Sequence, residues 1–245
     1  METIYLAPPI FFIIAFVFCM LGMGGSQLYI PVLYWMGLDF KTEAIPLGMA
    51  LNVGNSLTAT TTYITKKMAD WKTALPFAVT MLIFPPVGAW LNVQLPTKPL
   101  VVFFAVFTAA AATLMLSGWK PRKEKTSSRG RVILGLCGGS ILGSVAGLIG
   151  RGGGSFVVPL PYVAGLEAKA AAATSAFVIT CSGLSSFIAH LAMAARPNWL
   201  LWGSCMVAVF FGSEIGSHVM AEKLEPKRVR TWHHTLGSSA ISNHE

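Results

Sequence analysis

Long stretches of this chain carry no charge. None of Asp, Glu, Lys or Arg occurs between Glu2 and Asp39, between Lys72 and Lys98, from Pro99 to Trp119, or from Val132 to Gly150. A helix needs roughly 20 predominantly apolar residues to cross the hydrocarbon core of a bilayer, and these runs supply that length. Charged residues make up 11% of the chain and hydrophobic ones 54%, with a mean hydropathy of +0.63. A soluble domain carries about 25% charged residues, so this chain lacks the polar surface to cover a globule. The reading is an all-α polytopic membrane protein. Only Glu2 precedes the first apolar run, which therefore reads as a retained helix and not a cleaved signal peptide.

The net charge of +8 sits in short loops between the apolar runs. That is how basic residues distribute in cytoplasmic loops, and it argues against nucleic acid as a partner. Cys19, Cys137, Cys181 and Cys205 lie in apolar segments without a CxxC pair, so they read as buried free thiols. No metal or cofactor is expected.

Sliding the chain by 128 positions lays Gly22-Met23-Gly24-Gly25-Ser26 over Gly150-Arg151-Gly152-Gly153-Gly154 without a gap. The same shift aligns Pro31 with Pro159, Gly37-Leu38 with Gly165-Leu166, Asp39 with Glu167, Lys41 with Lys169 and Trp71 with Trp199. Such self-similarity indicates two homologous membrane repeats. Repeat 1 covers 1–118, a basic cytoplasmic linker covers 119–131, and an incomplete repeat 2 covers 132–230. In repeat 1 a helix from Pro8 to Leu21 meets the Gly22–Gly25 break, then a half-helix from Ser26 to Met36 and a turn at Gly37-Leu38-Asp39. Asp39 or Thr42 caps a long helix to Ile64, and spans at Thr73–Asn92 and Leu100–Gly118 follow.

Repeat 2 retraces this with a span at Val132–Ile149, a break at Gly150–Gly154, a half-helix at Ser155–Ala164, a long helix at Lys169–Ala194 and a span from Trp199 to Ala221. The expected total is roughly seven full spans plus two half-helices. The partner of Leu100–Gly118 is missing, and residues 231–245 form an atypical polar tail. An even number of crossings per half makes the repeats parallel and an odd number makes them inverted. The residues alone leave both open.

With these elements in view, the chain resembles the TauE/SafE sulfite-exporter family of membrane permeases. The resemblance rests on Gly22–Pro31 and Gly150–Pro159, each followed by a Gly-Leu turn, and on Ala173-Thr174-Ser175 opening the helix after the second turn. It runs from about residue 8 to 230 and departs where Pro46-Leu47 stands opposite Thr174-Ser175. It implies secondary transport, in the export direction, of a small sulfur-containing or organic anion such as sulfite or sulfoacetate. Alternating access in the inner membrane of a bacterial-type cell is the implied mode, with no enzymatic step. A channel or carrier of another solute, or a degenerate non-transporting scaffold, is the alternative. The lipid bilayer is a partner, and a homo-oligomer is allowed.

Half-helices that begin at glycines aim backbone N–H groups and a positive dipole end toward the membrane midplane, where an anion can bind. The candidate binding set is Gly24, Gly25, Ser26 and Gln27 at the first break, with Arg151, Gly152, Gly153, Gly154 and Ser155 at the second. Thr174 and Ser175 join it at the start of the following helix. The competing reading is that the glycines let helices pack closely. Arg151 is either an anion-binding fork or an interfacial side chain that snorkels, and its counterpart is only Met23. Asn52 and Thr180 fall at matched positions on the two long helices under the same shift, and with Asn55 they can line a polar cavity. Glu214 and His218, four apart on one helix face, are the candidate relay for a proton as coupling ion. Ser186 and His190 share that spacing, but no nucleophile elbow accompanies them, so a hydrolase is not expected.

Overall fold

Asp39 sets the start of the long helix that runs through the centre of the molecule. Its carboxylate accepts hydrogen bonds from the backbone N–H of Lys41 at 3.1 Å and of Thr42 at 2.9 Å, and from the Thr42 hydroxyl at 2.8 Å. Asp39, rather than Thr42, is therefore the cap. It opens a five-residue π-helical turn at Phe40–Ala44 that leads into the helix. The computed structural model describes residues 6–21, 24–116, 128–150, 152, 157, 161, 166, 168–193 and 197–223. Among them the elements in order are α1 (Ala7–Leu21), α2 (Ser26–Trp35), the π-helical turn, α3 (Ile45–Thr65), α4 (Trp71–Ile83), α5 (Pro85–Gln94), α6 (Thr97–Leu116), α7 (Ser128–Leu148), α8 (Ala168–Met193) and α9 (Trp199–Lys223). No strand occurs among the described residues.

Several boundaries differ from the sequence reading for identifiable reasons. The apolar run from Trp71 to Gln94 is broken at Phe84, because Pro85 and Pro86 have no N–H to continue the α4 ladder and instead start α5. Helix α7 begins at Ser128, inside the segment expected to be linker. Cys19 and Cys205 are buried, but Cys137 is exposed and Cys181 is half-buried, so the buried-thiol expectation holds for two of the four. The half-helix and turn at 155–167 lie outside the described residues except for Val157, Pro161 and Leu166, as do 117–127 and the tail from 224 onward.

Three segments are long and apolar enough to cross a bilayer: Trp71–Gln94, Ala170–Met193 and Trp199–Ala221. Ala7–Met20, Thr97–Ala110 and Gly135–Leu148 are shorter apolar helices. The outer surface matches a lipid environment. Leu200 is 82% exposed and Trp35 81%, within a wide population of exposed Leu, Ile, Val and Phe.

Two groups of helices meet at the centre. Helices α1 and α3 pack on α9, while α7 and α8 pack on α4 and α5. Within each group the helices run the same way. Gly212 meets the Phe12 carbonyl and Gly216 the Phe16 carbonyl, and Thr62 reaches Ser217 at 3.1 Å. In the other group Gly135 abuts Pro76, Gly139 abuts Thr80 and Gly143 abuts Phe84, in the same order along α4 and α7, and Gly88 of α5 abuts the Ser144 carbonyl. At Gly212, Gly216 and Gly88 the lack of a Cβ lets a neighbouring helix carbonyl come close, a packing mode suited to lipid, where dispersion rather than water exclusion drives association. The two groups join along α3 and α8, which run antiparallel: Met49 meets Ser186, Asn52 meets Gly183, and Thr60 meets Thr180.

Candidate functional site

The first glycine break ends beside the middle of α3. Gly24 has φ +73, a left-handed backbone that glycine adopts without strain, and a Cβ there would run into the Asn52 side chain. The Asn52 carboxamide oxygen accepts the N–H of Gly25 at 3.0 Å and of Ser26 at 3.4 Å. One turn further along α3, Asn55 Nδ2 donates to the Gly24 carbonyl at 2.7 Å. Both asparagines are fully buried. The N–H groups expected to face an anion at the start of α2 are thus held by a side-chain oxygen, because donors at this depth have no water to bond. Ser26 is buried and Gln27 half-buried.

The second break reaches the same side chain from the other direction. Gly152 also has a left-handed backbone, φ +60, and a Cβ on it would lie 2.7 Å from Asn52 Nδ2 and 3.3 Å from the Gly183 Cα. Asn52 therefore spans the gap between the two breaks. Among the described residues its Nδ2 finds no acceptor and Asn55 Oδ1 no donor. Leaving such groups unpaired costs about 1–3 kcal/mol each in a protein interior. Arg151, Gly153, Gly154 and Ser155 lie outside the described residues.

Other expected site residues are elsewhere. Thr174 accepts the Asp70 N–H at 3.1 Å and so closes the turn between α3 and α4. It is nine residues from Gly183, about 13 Å along the helix axis. Ser175 is fully buried and its hydroxyl has no partner among the described residues. Thr180 donates to the Ala176 carbonyl at 2.8 Å, so Thr60 must be the donor in the 3.0 Å contact between their hydroxyls. That contact clasps α3 to α8. Glu214 and His218 form a 3.4 Å pair on α9, with side chains 45% and 52% exposed, pointing away from the helix group. Thr62 bonds Ser217 at their level, ten residues beyond Asn52 and so about 15 Å along α3.

Outside the spans, the Thr42 N–H leads the bonds that hold the Asp39 carboxyl below the usual carboxylate range. Lys41 Nζ donates to the Val93 carbonyl at 3.2 Å and to the Leu95 carbonyl, which ties the start of α3 to the end of α5.

Asn92 and the true partner of His190 escaped the sequence reading. Asn92 Nδ2 donates to the Leu148 carbonyl at 2.6 Å and His190 Nε2 to the Gly147 carbonyl at 2.9 Å. They occupy the carbonyls that the end of α7 leaves without intrahelical partners just before the second break. Ser186 instead contacts Met49 Sδ at 3.4 Å, so it forms no nucleophile–base pair with His190. An amide and an imidazole inside apolar runs were the only available signal.

Set against known proteins, the sulfite exporter TauE/SafE family matches residues 8–240, which carries the similarity beyond Arg230 into the polar tail. The chain is 24% identical over 235 residues to the probable membrane transporter protein YunE of Bacillus subtilis, covering 86% of this chain and 85% of the other. It is 28% identical over 229 residues to the probable membrane transporter protein y4hK of Sinorhizobium fredii, covering 90% and 89%. A similar protein, the probable membrane transporter protein MJ0441 of Methanocaldococcus jannaschii, is 25% identical over 238 residues, covering 89% and 86%. No solved structure matches. The chain belongs to the sulfite exporter TauE/SafE family.

Proposed function

We propose that this integral membrane protein exports a small sulfur-containing or organic anion, such as sulfite or sulfoacetate, and that the anion binds where the two glycine breaks meet at Asn52. The observation that carries this reading is the divided role of the Asn52 side chain. Its oxygen caps the Gly25 and Ser26 N–H groups, while its unpaired Nδ2 lies against Gly152. In the empty protein the carboxamide oxygen stands in for an anion oxygen. An arriving oxyanion takes over the α2 N–H donors, aided by the helix dipole, and accepts from Nδ2 as the side chain yields. The donors keep a partner throughout, so the exchange avoids the cost of bare N–H groups at membrane depth.

Alternating access follows if the two halves are inverted copies that rock about this site. Several pairings favour that arrangement. Gly24 and Gly152, 128 apart, share left-handed backbones, and the Gly88–Ser144 contact recurs as Gly216–Phe16 under the same shift. The equivalent helices α3 and α8 run antiparallel, as an axis in the membrane plane requires.

Flux of sulfite, thiosulfate, sulfoacetate and chloride in proteoliposomes tests the reading. Saturable transport of at least one sulfur oxyanion, competed poorly by chloride, is expected. Flux that fails to saturate with any of them would favour a channel, and no flux would remove the transport reading.

A further inference from the structure

His190 is fully buried, and among the described residues it is the histidine inside the helix groups, whereas His218 is outside. Its Nε2–H is fixed on the Gly147 carbonyl, which also accepts the Gly150 N–H at 3.2 Å. Gly150 opens the second break with φ +65, and a Cβ there would strike Ile45. One carbonyl therefore joins the imidazole to the backbone turn that leads to Gly152.

The remaining ring nitrogen is unsatisfied. Among the described residues His190 Nδ1 has no hydrogen-bond partner, and neither does Asn92 Oδ1, on the side chain that holds the next carbonyl, Leu148. Both atoms are acceptors. With Nε2–H held by the Gly147 carbonyl, the neutral imidazole leaves Nδ1 as a buried acceptor without a donor, the one ring position open to a proton.

We propose that His190 is where the protein binds a proton during transport, at Nδ1, the ring atom that the Gly147 contact leaves open. The proposal rests on the anion-transport reading above. His190 lies seven residues from Gly183 on α8, so its charge arises about 10 Å from Asn52. At that distance in a protein interior a positive charge strengthens anion binding about tenfold. The proton comes from water on one side and leaves to the other with each cycle.

The groups around it leave the imidazole to act alone. The described parts of α3, α4, α5 and α7 that pack on α8 carry no Asp, Glu, Lys or Arg between Ile45 and Thr65, Thr73 and Gln94, or Val132 and Gly150. The charges at this end are Lys41, held on the Val93 and Leu95 carbonyls, Asp39, whose carboxylate caps the start of α3, Glu43, which accepts the Asp39 N–H at 3.0 Å, and Lys98 just beyond α5. Arg151, after Gly150, and Arg196, after α8, lie outside the described residues. On α8 itself the polar neighbours are Ser185, bonded to the Leu82 carbonyl, and Ser186, on Met49.

Thiosulfate, which does not titrate near neutral pH, is the probe in proteoliposomes with and without a one-unit pH gradient. One proton coupled to each cycle changes its accumulation up to about tenfold per pH unit. His190→Gln places an amide N–H where Nε2–H was and cannot titrate, so it is expected to bind thiosulfate while losing the gradient effect. Full gradient dependence in His190→Gln overturns the proposal. Independently of any flux, the 15N imidazole signals of the wild-type protein are followed from pH 5 to 8, with His190 assigned by its loss in His190→Gln. Protonation toward the acid end of that window is expected, and a His190 ring that stays neutral throughout overturns the proposal. If the ring titrates but no anion is transported, the transport reading fails and the proton site stands.

Discussion

Asn52 Oδ1 accepts the Gly25 N–H at 3.0 Å, and the same carboxamide lies with its Nδ2 against Gly152, on the other break. Two backbone interruptions separated by 128 residues in sequence are thereby joined through one side chain.

Removing that side chain has a defined cost. Asn52→Leu removes the acceptor of the buried Gly25 N–H, worth about 1–3 kcal/mol. Thermal unfolding in detergent is expected to move down and anion flux to fall more than about tenfold. Asn52→Asp keeps the acceptor but replaces the Nδ2 donor with negative charge. It is expected to retain more of the stability and still lose flux, a split that melting curves and transport assays read separately.

The glycines divide in the same way. Gly24→Ala strains a left-handed backbone, at about 1–2 kcal/mol, and also drives a methyl into Asn52. Gly37 has φ +92 but nothing within 4 Å of its Cβ position. Gly37→Ala is expected to cost only the strain and to transport normally, whereas Gly24→Ala loses both stability and flux.

Asp39 gives a pH signature away from the site. Its folded-state carboxyl is depressed by the Thr42 N–H, so its stabilisation is present above the ordinary carboxylate range and is lost as pH falls through the lower folded value. Asp39→Ala is expected to lower stability at pH 7 by about 0.5 kcal/mol, the low end for a helix cap because the carboxylate is exposed. The gap between the two melting temperatures should close in acid.

Glu214→Gln is expected to change little. The Glu214–His218 pair is exposed on one helix face, where such pairs contribute about 0.3–0.5 kcal/mol. Flux by Glu214→Gln that keeps its response to a pH gradient agrees with a proton site elsewhere, and a lost response would restore this pair as the relay.

The elements were legible where periodicity and punctuation are strong. Charge-free runs marked α1 and α6 to within a few residues, the repeat match of Trp71 with Trp199 marked the start of α9, and the glycine break with a following short helix was visible as Gly22–Gly25 and Ser26–Trp35. Pro85 and Pro86 were readable as a break but lay inside an apolar run long enough to be taken as one span. The partners of the breaks were not legible. Asn52 meets Gly25 across 27 positions and His190 meets Gly147 across 43, separations that no local pattern encodes. Thr174 illustrates the converse. A short polar signature suggested a ligand, while the structure uses its hydroxyl to receive the Asp70 N–H.

The central claim is that the Asn52 carboxamide and the two breaks form one anion site. Equilibrium binding of radiolabelled sulfite to detergent-purified wild-type protein and to Asn52→Leu, each verified as folded by its melting curve, tests it most directly. Saturable binding by the wild type that weakens at least tenfold in folded Asn52→Leu is the predicted result. Equal binding by the two proteins would contradict the account.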